Sequence, residues 1–343
     1  METTIGWGIL GTGRIASDFA TAVNTCGEAG RLVAVGSRRG DSAKDFAARH
    51  GIATAYGSYE ELVNDPDVQV VYVSSPHPFH LENALLALNA KKHVLCEKVI
   101  CINAKQCEEL IETAHRNGCY LMEAMWTRFF PLVQELRSRV RSGEFGRILS
   151  LRGSFGFKDD QSNDRISEPA LGGGSLLDIG IYLASFTSML LGPAAPDHIE
   201  ANAVLSEKGV DEEVHFALRY GEVTSQLHSS IREELPCEFE ITTERARVLV
   251  HRPFWSPTKV TIASSTAPTA EVEVLEQPLA AVPDGESYYF VNSQGLAFEA
   301  RAVVQDLAAK RLASAVMPLE ETLTIMRTLD AVRERIGLCY PMD

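Results

Sequence analysis

The chain has 343 residues, 45% hydrophobic and 23% charged, which predicts a soluble globular protein with room for two domains. Its net charge of −14 argues against nucleic acid or an anionic membrane as partner, because the average field repels both. Any anionic ligand must be held by local groups.

Residues 5 to about 125 alternate short apolar runs with amphipathic stretches, the pattern of a doubly wound parallel sheet. Strands are predicted at Gly6–Leu10, Leu32–Ser37, Val70–Ser74, Val94–Cys96 and Tyr120–Glu123. Helices are predicted between them at Ile15–Thr25, Ser42–His50, Tyr59–Asn64, His80–Leu88 and Ala104–Asn117. Pro76 and Pro78 stop the third of these strands and open a loop at its carboxyl end, where such sheets bind ligands.

After a helix at Pro131–Ser142 come RILSLRGSFGF, HIEANAVLS, EEVHFALRYG, EVTSQLHSSIR, CEFEITTE, ARVLVHR and KVTIAS. Their alternation predicts one large, mainly antiparallel open sheet. Helical stretches at Gly174–Leu191 and Phe298–Ala308 are expected to cover one face of it, and a second copy of the chain the other, giving a homodimer.

The opening METTIGWG shows no basic segment followed by an apolar one, and the longest apolar run, Ile179 to Leu191, is too short to span a bilayer. The seven cysteines are spread out, with no C-x-x-C. Reduced thiols and a cytoplasmic location are expected. His93 and Cys96 have no second ligand pair at suitable spacing, so no metal centre is expected.

Gly11-Thr12-Gly13-Arg14-Ile15-Ala16 has the G-x-G-x-x-A form of a dinucleotide-binding turn, at the first passage from strand to helix. Gly11 permits the tight turn, Gly13 lets the backbone approach a pyrophosphate, and Ala16 lets helix pack on strand. At the end of the second strand, VAVGSRRG carries Ser37, Arg38 and Arg39 where an NAD enzyme would place an acid. A hydroxyl and two guanidiniums suit a 2′-phosphate, so NADP is the expected cofactor.

Glu97 and Lys98 end the strand before VICINAKQC, at the edge of the sheet where a nicotinamide would lie. They read either as an exposed capping pair or as an acid–base group. In ALGGGSLLDIGIY, Asp178 and Tyr182 stand at i and i+4 on a predicted helix led by Gly172 to Gly174. Tyr182 reads either as a core aromatic or as a proton donor and acceptor, and the glycines invite close approach of a ligand.

The turn at Gly11–Ala16, SSPHPFH, HVLCEK and GGGSLLDIGIY, in this order and spacing, resemble the Gfo/Idh/MocA oxidoreductase family. AYGSYEEL, LMEAMWTRFFP and IGLCYP are most similar to its dihydrodiol dehydrogenase branch, which includes NADP-dependent D-xylose 1-dehydrogenases. The resemblance implies an α/β chain: a Rossmann domain at 1–125, then at 126–343 an α/β domain for substrate and dimerisation, its C-terminal helical segment packing back on the first. It implies hydride transfer between NADP(H) and a hydroxyl or carbonyl carbon of a small sugar, polyol, trans-dihydrodiol or dicarbonyl.

Catalytic roles carry over to Lys98 and Tyr182: either Tyr182 takes the proton while Lys98 lowers its pKa and orients the substrate hydroxyl, or Lys98 is itself the immediate base. Cofactor contacts carry over to Ser75, His77, His80, Glu97, Trp126 and Arg128, and substrate contacts to Phe129, Phe157, Asp178 and Trp255. The family usually reads E-K-P where this chain has Val99. Proline readily allows a cis peptide, whereas one before valine costs about 2.5–4 kcal/mol. Two other readings remain open: a non-catalytic NADP-binding sensor, and a glycosidase that retains its dinucleotide.

Overall fold

The computed structural model describes residues 4–159, 163–267, 269, 271–282 and 287–343. The chain divides into two units, one of Met1–Cys101, Lys105–Phe129 and Leu279–Leu319, the other of Ile102–Ala104, Phe130–Pro278 and Glu320–Asp343.

The first unit runs β1 (Gly6–Leu10), α1 (Arg14–Asn24), β2 (Arg31–Gly36), α2 (Gly40–His50), β3 (Thr54–Tyr56), α3 (Tyr59–Val63), β4 (Val70–Val73), α4 (His80–Asn89), β5 (His93–Glu97), α5 (Ala104–Asn117) and β6 (Leu121–Ala124). Among the described residues six strands form a parallel sheet in the order β3-β2-β1-β4-β5-β6. β1 and β4 are buried throughout, as expected of strands covered on both faces. Phe19 of α1 stacks on Tyr72 of β4 with ring centroids 3.8 Å apart, locking helix to sheet. The chain reverses direction of travel through the sheet between β1 and β4, whose carboxyl ends therefore open the crevice where such folds take ligands. β3 was not among the expected strands: it is three half-buried residues, Thr-Ala-Tyr, too short to show a period.

The second unit runs α6 (Pro131–Arg141), β7 (Ile148–Gly156), α7 (Asp164–Ser167), a π-helical turn (Leu176–Gly180), α8 (Ile181–Leu191), β8 (His198–Leu205), β9 (Asp211–Tyr220), β10 (Val223–Ser230), β11 (Phe239–Thr243), β12 (Ala246–Val250), β13 (Lys259–Ser264) and β14 (Glu273–Glu276). Among the described residues eight strands form one sheet, β14-β13-β12-β11-β7-β10-β9-β8, antiparallel except where β7 meets β10. Its inward positions, including Val214, Phe216, Leu227, Ile241 and Val248, are buried; its outward positions Arg152, Glu200, His215, Arg219, Gln226 and Glu240 are exposed. α8 lies on the inward face and is buried on every side, which explains an apolar surface without a polar stripe. The helical run Pro169–Leu191 is long and apolar enough to cross a membrane by composition, but 94% of its most apolar window is buried inside the protein.

Two helices end the chain, α9 (Leu296–Ala308) and α10 (Leu319–Ile336). Contrary to the expectation that 298–308 would cover the large sheet, α9 packs on α1 within the first unit. Its buried positions Leu296, Ala300 and Val303 fall at helical spacing and would satisfy any apolar partner, so the sequence could not choose between them. α10 stays with the second unit, where Glu321 accepts from Ser188 at 2.7 Å and Arg335 donates to the Ile199 carbonyl at 2.7 Å.

Candidate active site

The dinucleotide turn forms at the carboxyl end of β1. Gly11 has φ +111, its N–H bonds the Gly36 carbonyl at 3.0 Å, and an added Cβ would press on Ser74 at 3.0 Å. Gly13 is the opposite case: a Cβ there would meet nothing within 4 Å. Arg14 then starts α1, whose first turn carries no acid and no side-chain cap, so its amides face outward as an anion cradle. Thr12 and Ile15 are half-buried beside them. These features fit a pyrophosphate.

At the end of β2, Ser37 is buried and its Oγ accepts from the Arg39 N–H at 3.3 Å. Arg38 and Arg39 are exposed. The Arg38 guanidinium lies 5.4 Å from the Phe79 ring centroid and also bonds the Tyr59 phenol, whose pKa burial raises against the pull of that charge. No carboxylate replaces Ser37 at this strand end.

Lys98 leaves β5 half-buried. Its N–H bonds Glu97 Oε2 at 3.2 Å, while the Tyr72 hydroxyl donates to Glu97 Oε1. The Lys98–Val99 peptide is cis, although proline is missing. The Val99 carbonyl lies 2.7 Å from His80 Nδ1, and the Ser75 carbonyl 2.6 Å from His80 Nε2. His80 thus ties the loop after β4 to the loop after β5. Burial pulls its pKa down to about 4, while the two carbonyls pull the other way because only the charged ring donates from both nitrogens. The His77 ring packs edge-on to it, centroids 5.8 Å apart.

Sequence reasoning missed three groups in this unit. Glu123 of β6 accepts from the Ile100 N–H at 3.0 Å, and burial raises its pKa to about 7 against the charges of Arg128 and Lys98. Glu299 of α9 is fully buried, and burial together with Glu97 pushes its carboxyl well above the usual range. Asp18 of α1 accepts from the N–H groups of Tyr289 and Phe290 at 2.8 and 2.9 Å and from Ser293 Oγ at 2.7 Å, which holds that segment beside Arg14. A charge inside an apolar strand or helix was the available signal for all three. Trp126, Arg128 and Phe129 are placed in a buried 3-10 turn, where the Arg128 guanidinium reaches the Val316 carbonyl at 3.4 Å.

In the second unit the GGGSLLDIGIY segment is not the continuous α-helix expected: Leu176–Gly180 form a π-helical turn before α8. Such turns often accompany functional sites. Asp178, buried on that turn, makes a bidentate pair with Arg165 at 2.9 and 3.1 Å. Nothing in the spacing pointed to Arg165. Tyr182, nearly buried in the first turn of α8, lies 5.7 Å from the Phe155 ring, which stacks on Trp255 at 3.8 Å. Phe157 is half-buried at the end of the same sheet, its N–H on the Ser230 carbonyl at 3.1 Å.

Gly173 and Gly174, ahead of this turn, are closed in by the protein's own atoms on the side where a Cβ would stand. A Cβ at Gly174 would lie 2.1 Å from Asp211 Oδ1, and one at Gly173 2.3 Å from the Ile166 carbonyl. Asp211 fills that space and accepts from the Leu176 N–H at 2.6 Å and Ser175 Oγ at 3.0 Å. The Tyr340 hydroxyl, from the terminal IGLCYP, donates to the Gly173 carbonyl at 2.7 Å. The run is small because the protein packs there.

Residues 5–125 match the model of an oxidoreductase family with an NAD-binding Rossmann fold, and residues 133–249 that of the GFO/IDH/MocA C-terminal domain. The chain is 38% identical over 339 residues, covering 98% of each protein, to the trans-1,2-dihydrobenzene-1,2-diol dehydrogenase of Bos taurus. It is 35% identical over 337 residues, 98% and 99% of the two proteins, to that of Xenopus tropicalis. Among solved structures it is similar to a 3-ketoreductase from Actinomadura kijaniata in complex with NADP and TDP-benzene, at 27% identity and TM-score 0.80 over 97% of this chain and 98% of that one. A levoglucosan dehydrogenase in complex with NADH and levoglucosan shares the fold, with TM-score 0.84 at 19% identity over 97% of both chains. With the dinucleotide turn in place and relatives of this length and identity, the chain belongs to the Gfo/Idh/MocA family and is an oxidoreductase that uses a nicotinamide dinucleotide on a small molecule.

Proposed function

We propose that this oxidoreductase is an NADP-dependent dehydrogenase or reductase acting on a hydroxyl or carbonyl carbon of a trans-dihydrodiol, a sugar or a dicarbonyl. The observation that carries the reading is the full-length relation to trans-dihydrodiol dehydrogenases, joined to a β2 end that offers Ser37, Arg38 and Arg39 instead of an acid. Each charge-assisted bond to a 2′-phosphate contributes about 1.5–3 kcal/mol.

The amides of Gly13, Arg14 and Ile15 hold the pyrophosphate, with Gly11 and Thr12 shaping the turn, and Ser37 to Arg39 hold the 2′-phosphate. When bound, the dinucleotide supplies a hydride acceptor or donor at C4 of its nicotinamide. Tyr182 takes the substrate hydroxyl proton in oxidation and returns it in reduction. Lys98 hydrogen-bonds the reacting oxygen and stabilises the charge that develops on it. His80, with both ring nitrogens engaged, acts as a positioning residue for the loop that carries Lys98. Ser75, His77, Glu97, Trp126 and Arg128 complete the cofactor assignment, and Phe129, Phe157, Asp178 and Trp255 the substrate assignment. The Phe155–Trp255 stack beside Tyr182 supplies an apolar wall suited to the ring of a dihydrodiol.

Steady-state kinetics with trans-dihydrodiols, aldoses and dicarbonyls, followed by NADPH absorbance, tests the reading. The expected result is turnover with kcat/KM for NADP about tenfold or more above NAD. Equal or better efficiency with NAD removes the cofactor assignment, and no turnover with any of the three classes removes the substrate assignment. The same reading includes a homodimer through the outward face of the large sheet and a cytoplasmic location. Sedimentation showing only a 37.6 kDa species at micromolar concentration would exclude the dimer, and recovery of the protein outside the cytoplasmic fraction would exclude the location.

A further inference from the structure

On the outward face of the large sheet, β9 and β10 pair so that His215 stands directly opposite His228. Glu213 precedes His215 by two residues, so all three side chains leave the same face. The imidazole rings stack with centroids 3.8 Å apart and planes 19° apart. His215 Nε2 is 3.0 Å and His228 Nε2 3.4 Å from one and the same oxygen, Glu213 Oε1. The three donor atoms all lie within 4.8 Å of one another.

We propose that Glu213, His215 and His228 form a binding site for a divalent transition-metal ion of the zinc class, separate from the residues assigned to catalysis. Donors at 2.0–2.2 Å from a tetrahedral zinc ion stand about 3.3–3.6 Å apart, and the 3.0 and 3.4 Å from the two imidazoles to Glu213 Oε1 are of that order. Two imidazoles and one carboxylate favour such metals over magnesium or calcium, which prefer an all-oxygen set.

An ion pair between histidine and glutamate explains the cluster less well. His228 Nε2 is buried and stands 3.4 Å from Glu213 Oε1, farther than the 3.0 Å of His215. The nearest opposing charge, Arg232, is 3.9 Å from the other oxygen, Glu213 Oε2, and leaves Oε1 to the imidazoles. Asn202 of β8 pairs with His215 across the ladder, adding an amide at the rim. Within one chain, a groove of 510 Å³, lined by His215, His228, Glu200, Asn202, Gln226 and Arg152 among others, leaves room for an ion and its waters. The inference does not rest on the dimer, since three ligands come from one chain.

The full-length protein, free of any histidine tag and dialysed against EDTA, is titrated with Co²⁺ as a spectroscopic substitute for zinc, then with Zn²⁺ by calorimetry. The expected result is one ion per chain, visible Co²⁺ bands of a nitrogen and oxygen site, and no thiolate charge-transfer band. Binding is lost in His215→Ala and His228→Ala and weakened in Glu213→Gln, while Cys339→Ser binds as the wild type does. As a measurement independent of substitution, Zn²⁺ protects His215 and His228 from carbethoxylation, read by mass spectrometry. Absence of stoichiometric binding, binding kept in both histidine variants, loss with Cys339→Ser, or no protection of the two rings would each overturn the proposal.

Discussion

Two glycine-rich segments of this protein, Gly11 to Gly13 and Gly172 to Gly174, both lead into a helix, and the physics of the two is opposite. At Gly13 there is open space where a side chain would be, and the helix that follows has neither cap nor acid in its first turn. At Gly174 the space is filled by Asp211, whose carboxylate accepts from the first amide of the π-helical turn. One segment leaves an anion site for a ligand, and the other has its anion built in as a side chain. A glycine run ahead of a helix marks a close approach; what approaches is decided elsewhere in the chain.

The strongest way to break the comparison is through the chemistry assigned to each unit. Lys98→Met in the first and Tyr182→Phe in the second should each lower kcat by about 10²–10⁴-fold while dinucleotide affinity stays within a few-fold. If both serve one proton transfer, the double variant is little worse than either single one. Near wild-type turnover in a single variant would make that residue structural.

The glycines themselves come next. Gly174→Ala should destabilise the protein by about 2–5 kcal/mol in denaturant unfolding, because a Cβ would sit 2.1 Å from Asp211 at a φ of +112. Gly13→Ala should leave unfolding nearly unchanged and instead weaken dinucleotide binding about tenfold or more, measured by calorimetry. If both changes act on stability alone, the distinction between a ligand site and a packed site fails.

Each unit also buries an acid with a raised pKa, and pH separates them. Asp211 rises from 3.8 to about 6. Its contribution to stability is complete below the unfolded value and is lost as pH climbs through about 6. The stability of wild type relative to Asp211→Asn should therefore fall by up to about 3 kcal/mol between pH 4 and 6, seen in Tm across that range. Glu123 rises from 4.5 to about 7, so the corresponding loss runs up to neutral pH. Because Glu123 changes charge near Lys98, Glu123→Gln should also alter the pH profile of kcat near neutrality, whereas Asp211→Asn should not.

The smallest effect sharpens the cofactor assignment. Arg38→Ala should reduce kcat/KM for NADP about tenfold and leave NAD nearly untouched, since the guanidinium would meet only the 2′-phosphate. Equal losses with both cofactors would assign Arg38 to packing against Phe79 and Tyr59 instead.

Most of the first sheet was legible because its elements declare themselves locally: the apolar run of β1, the glycines of the turn and the periodicity of α5 are local signals. The alternation of β7 to β13 was legible for the same reason, and it also fixed which face carries polar groups. β3 was too short to show a period, and the π-helical turn depends on a carboxylate that arrives from 35 residues further along.

The sequence alone therefore determined most of the element types, the dinucleotide turn, the Ser37 in place of an acid at the end of β2 and the candidates Lys98 and Tyr182. Tertiary structure decided that α9 joins the first unit, that Asp18 holds a segment 271 residues away, that Arg165 pairs with Asp178, and that Asp211 occupies the space beside Gly174. The physical reason is common to all four. A charged side chain can be inside only where a partner meets it, and an apolar helix face accepts any apolar partner, so neither choice is written in the neighbouring residues.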